Sequence, residues 1–180
     1  MLYRSSARAV PSVDEFRPNA GQLALALAAG LIAQSLLARY LPIRGATFGL
    51  IATLIAWYAM RSGPTSGAFF GLIAGACEDA LAGGTGAAWT FSSAAIGVLG
   101  GRLGSTLLVD SLWLWVPTIA ALGIVRYAVF LLVMEIEGRT PHLVTLHLHQ
   151  ILLQALLDAA LAFVALQRFP RLRIERVVDR

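Results

Sequence analysis

The chain has 180 residues, of which 58% are hydrophobic and only 13% charged, with a net charge of +4 and a mean hydropathy of +0.74. This composition excludes an ordinary soluble domain, points to an integral membrane protein, and leaves too little solvated surface for a nucleic-acid binder. All 14 basic residues are arginine, and they concentrate at the tails and short connections, which suits membrane topology and headgroup attraction; the single Cys77 reads as a small core residue with no disulfide partner in the chain.

Six apolar runs separated by turn chemistry predict an all-α, polytopic bundle of six transmembrane helices. The first is Gln22 to Tyr40; about twenty mixed residues precede it, so it reads as a retained span rather than a secretory leader. The second, Ile43 to Met60, follows Pro42, and the third, Thr65 to Leu81, follows the Gly63-Pro64 pair. The fourth, Gly86 to Leu103, is set off by Gly83-Gly84. The fifth, Leu112 to Glu135, carries Pro117 early, which is expected to kink the helix or mark its first turns. Gly138 through Pro141 then breaks the chain before the sixth, Leu143 to Gln167. Residues 1–21 and 168–180 form the tails, and 22–167 a single membrane domain.

With a cytoplasmic N-terminus, the inner segments collect Arg4, Arg8, Arg17, Arg61, Arg102, Arg168, Arg171, Arg173, Arg176 and Arg180. The outer segments then keep only Arg39, Arg44 and Arg139, so the positive-inside rule places both termini in the cytoplasm.

The third span is the most informative. Its spacing of four places Gly67, Gly71, Gly75 and Asp79 on nearly one helix face, where glycines let a second helix approach closely and a buried acid needs a partner. Arg126 lies at a similar depth in the fifth span, ~22 Å from the cytoplasmic edge, and is the expected partner of Asp79. Glu78 is adjacent to Asp79 and diverges from it by ~100° around the helix, which argues against a paired-carboxylate catalytic site.

In the sixth span His147, Gln150, Gln154 and Asp158 share one face. Interhelical hydrogen bonding is the plainer reading of that face, with a substrate pathway as the alternative. His147 and His149 point to different sides of a helix, and with His142 they lack the acidic or thiolate company of a metal site, so no metal is expected. Ser92 and Ser93 have no base nearby in sequence, and Gly83-Gly84-Thr85-Gly86 lacks the lysine of a phosphate-binding loop, so neither a catalytic centre nor a nucleotide cofactor is expected.

From about Ile43 to Ser105, the segments SGPTSGAFFGLIAGACEDALAGGTG and AIGVLGGRLGS resemble the MreD family of rod shape-determining membrane proteins. The likeness rests on the Gly63-Pro64 turn, a helix with Gly67, Phe70, Gly71 and Gly75 that ends in Asp79, the Gly83 to Gly86 turn, and a fourth helix ending Gly101-Arg102-Leu103. The chain departs from the family at Pro42-Ile43-Arg44, where members often carry Pro-Asp. The resemblance implies a non-enzymatic scaffold in the bacterial inner membrane that serves the cell-elongation and peptidoglycan-synthesis machinery. It would bind MreC and, through it, MreB filaments, RodA and a class B penicillin-binding protein, with self-association and lipid contact also open. The family's fold is similar to the substrate-binding subunits of energy-coupling-factor vitamin transporters. The alternative is therefore a small-molecule-binding membrane subunit of a transporter, with its site around Asp79, Arg126, Gln154 and Asp158.

Overall fold

The computed structural model describes residues 18–41, 48–106, 112–138 and 143–168, the side chains at 112–113, 143–150 and 166 excepted. Among them there are six α-helices and no strand: α1 Ala20–Tyr40, α2 Leu50–Ser62, α3 Pro64–Ala82, α4 Ala88–Thr106, α5 Leu112–Ile136 and α6 Leu143–Arg168. Five of these begin and end within three residues of the apolar runs that predict them. The exception is α2, which has 13 residues and spans about 20 Å. Phe48 and Gly49 are not helical, and the beginning of the expected second span, including Pro42, Ile43 and Arg44, falls outside the described residues.

Turn chemistry explains the helix ends. Gly63, at φ 86°, is both the last cap of α2 and the first of α3, so one residue reverses the chain. A side chain would be strained in that conformation, and Pro64 follows at a helix start, where its missing N–H costs nothing. At the other end of α3, Gly83 takes the left-handed conformation, and its N–H donates to the Asp79 carbonyl at 3.1 Å. At the start of α1 the Asn19 N–H donates to Gln22 Oε1 at 3.2 Å. Pro117 sits in the second turn of α5, and the helix continues through it.

The centre of the bundle is α2 to α5, with α6 lying along α5 and α1 along α2. Ile51 and Ile55 of α2 and Ile96 of α4 are fully buried, with Phe70, Trp115, Ile119 and Leu122 packed around them. α1 contributes Leu27 as its one buried residue.

The exterior is apolar as well as the core, and a few polar groups are buried. Leu25 and Ile32 of α1, Phe69 and Ile73 of α3, Phe91 of α4, Leu132 and Ile136 of α5, and Leu152 and Leu156 of α6 all face outward. Glu78, Ser92, Ser93, Arg126 and Asp158 are buried. Among the described residues two helices, α1 and the Leu114–Ile136 part of α5, are long and apolar enough to cross a membrane.

The α3 and α4 helices run antiparallel in almost direct backbone contact. A Cβ placed on Gly67 would lie 2.5 Å from the Ala59 Cβ and as close to the Gly97 carbonyl; one on Gly71 would lie 2.7 Å from the Ser93 carbonyl carbon; one on Gly75 would lie 2.6 Å from the Thr90 Cα. The contact is reciprocal, because Gly97 abuts Gly67, and Gly101 abuts Gly63 and Pro64. Ser93, Gly97 and Gly101, spaced by four, thus lie opposite Gly71, Gly67 and the Gly63-Pro64 turn, while Gly75 meets the backbone of Trp89 and Thr90.

Candidate functional site

Glu78 and Asp79 leave α3 in the different directions their helical offset requires. Arg126 of α5 forms its ion pair with Glu78, both side chains 6% exposed, and not with Asp79. The pairing expected from equal depth is therefore corrected by one residue: depth was matched, but the side that faces α5 belongs to Glu78. The guanidinium is held on further sides by the Ser93 hydroxyl, to which its Nε and Nη2 donate at 3.2 and 3.0 Å. The face of Trp89 lies 4.6 Å from its central carbon. Trp89 in turn stacks on Phe130, at 4.1 Å between ring centroids. A buried guanidinium with a carboxylate, a hydroxyl and an aromatic face around it has replaced the hydration it lost.

Asp79 binds the α3–α4 turn. Its Oδ1 accepts from the Thr85 hydroxyl at 2.7 Å and the Trp89 N–H at 3.1 Å, and its Oδ2 from the Thr90 N–H at 2.8 Å and the Thr90 hydroxyl at 2.7 Å. The carboxylate thus occupies the N-terminal end of α4, where free N–H groups and the helix dipole favour negative charge. Its chemistry is that of a cap supplied from the preceding helix.

A second carboxylate serves α2 in the same way. Asp158 of α6, 2% exposed, accepts from the Gly49 N–H at 2.7 Å, at the start of α2. Gln154 donates to the same oxygen at 3.3 Å. The absence of side chains at Gly49 and Gly123 makes room for this carboxylate: a Cβ at either would lie 2.6 or 3.1 Å from its oxygens. A second amide at this end, that of Ile51, donates to Gln34 Oε1 of α1 at 3.0 Å, and the Gln34 amide group donates to Glu78 Oε1 at 2.9 Å. The buried start of α2 is therefore covered from both sides, by α6 and by α1.

These contacts bring together Gln34, Glu78, Ser93, Arg126, Gln154 and Asp158 around the first turn of α2. Gln34 and Ser93 were not singled out from the sequence as members. Gln34, with Ser35 beside it, interrupts an otherwise apolar stretch, and Ser93 begins the small-residue stripe of α4; each was a readable sign. The side chains of His147, Gln150 and His149, and the whole of His142, lie outside the described residues. Among the described residues no three His, Cys, Asp or Glu side chains converge as metal ligands. No known family model matches the chain, and no curated protein or solved structure is significantly similar to it.

Proposed function

We propose that this chain is a polytopic membrane scaffold of the MreD type: six spans with both termini cytoplasmic, set in a bacterial inner membrane and working by association with other membrane proteins rather than by turnover. The observation that carries this reading is the apolar exterior around a bundle that buries bonded polar groups. The interior polar groups are engaged with one another across helices, whereas bulky apolar side chains cover the outside of α1, α3, α4, α5 and α6. Such an exterior suits lipid and the helices of partners. The motif cluster from Gly63 to Leu103 supplies the choice of family. The partners follow from it: MreC directly, with MreB, RodA and a class B penicillin-binding protein beyond.

The test is affinity purification of the full chain in mild detergent followed by mass spectrometry, together with depletion in its host. The expected results are recovery of a single-span partner of the elongation machinery and conversion of rods to spheres. Unchanged cell shape after clean deletion would refute the assignment. Reporter fusions at the two ends test the topology separately, and ends on opposite sides would refute six spans.

One observation favours a second reading, a substrate-binding transporter subunit. Helix α2 is short, and its N-terminal end lies inside the bundle beside Asp158, as in membrane carriers whose interrupted helices frame a binding site near the midplane. Copurification of an ATPase in place of elongation proteins would select it.

A further inference from the structure

Helix α1 is attached to the bundle unlike the other five. Over its apolar length only 6% of residues are buried. Its contact is a single seam: Leu23, Leu27 and Leu31 touch the core, and Gly30 rides over Ile51, whose Cδ1 is 3.0 Å from where a Cβ would stand. The seam ends in Gln34, the one side chain of α1 that reaches the polar interior, where it bonds both the Ile51 N–H and Glu78.

We propose that α1 is a latched lid, held shut by Gln34, whose release opens the side of the bundle onto the Glu78, Arg126 and Ser93 cluster. The seam is narrow, so apolar packing holds α1 weakly; the two Gln34 bonds are made only when α1 is seated. Their loss removes interactions that only the closed form makes, whereas the open form has neither bond to lose. Removing the Gln34 amide therefore penalises the closed state selectively, and a two-state element shifts by the difference. The lid does not depend on which partner the bundle serves. It places a movable helix beside a polar cluster inside an otherwise apolar body.

The experiment is distance measurement between spin labels on the full chain in lipid nanodiscs, in a Cys77→Ala background. One pair, Ala24→Cys with Leu81→Cys, reports α1 against α3; both positions are exposed. A second pair, Ser105→Cys with Leu132→Cys, reports the body through α4 and α5. The parent should show one dominant distance for each pair. With Gln34→Leu the minor, open distance of the α1 pair should rise about tenfold while the body pair stays as it was. Leu27→Ala weakens the same seam without stranding a polar group, and should shift the α1 pair in the same direction; it decides the matter if Gln34→Leu does not fold. An α1 distance unchanged in the folded variants overturns the lid, and so does equal broadening of both pairs, which would mean general loosening.

Discussion

Replacing Gly71 by alanine adds a single methyl group at the closest point between α3 and α4. That methyl would fall 2.7 Å from the Ser93 carbonyl carbon and closer still to its oxygen, whereas comfortable contact begins near 3.4 Å. The obstacle is backbone and cannot rotate away, so the closer oxygen requires the two helices to part by about 1 Å along a seam that also carries Gly67, Gly75 and Gly97. Overpacking of this kind costs up to ~3 kcal/mol. Alanine recovers about 1 kcal/mol of helix propensity, which leaves a net destabilisation of ~2 kcal/mol. Gly21→Ala in α1 is the matched control, because nothing lies within 4 Å of its Cβ; it should be neutral or stabilising by up to ~1 kcal/mol. Reversible unfolding in mixed micelles measures both. Two shifts of the same sign and size would refute the claim that α3 and α4 meet through bare backbone. Gly71→Leu, which needs far more room, should prevent the hairpin from closing.

The ion pair yields a double-mutant cycle: Glu78→Gln and Arg126→Gln should each cost roughly 3 kcal/mol and the double variant clearly less than their sum, with strict additivity in the same unfolding assay counting against the pair. Asp79→Ala should cost about 2 kcal/mol by stripping the start of α4 of its acceptor, and should couple to Arg126→Gln less strongly than Glu78→Gln does, since Asp79 meets Arg126 only through Trp89. Asp158→Leu leaves the Gly49 N–H buried without its acceptor and is expected to destabilise by ~1–3 kcal/mol, with faster hydrogen exchange at the first amides of α2 as the specific readout. Thr90→Val removes one hydroxyl donor from Asp79 and should cost about 1 kcal/mol by micelle unfolding, half or less of the Asp79→Ala effect.

The helices were legible because their signals are local. Apolar length, Gly63-Pro64 and the Gly83 turn all act within a few residues, and five of six boundaries follow from them. What escaped was the truncation of α2, whose apolar run gives no sign that Phe48 and Gly49 leave the helix; the reason is tertiary, since Asp158 of α6 and Gln34 of α1 take up its first amides. The site was half legible for a related reason. Depth along a helix can be counted from sequence, and it brought Arg126 to the right level of α3. Which of two neighbouring acids faces α5 depends on how α3 is rotated, and that is set by its glycine face pressing on α4. Ser93 illustrates the same limit, because its part as an acceptor for Arg126 exists only once α4 and α5 are side by side.

The weakest hydrophobic signals belong to the pair that packs most tightly. Helices α3 and α4 are 19 residues each, yet neither is among those apolar enough to cross a membrane unaided. Their glycines, serines and Asp79 become tolerable to hydrocarbon only after each helix shields the other. In a bilayer the two would therefore have to enter together as a hairpin, because a chain released after Ala82 would leave α3 without the half that shields it.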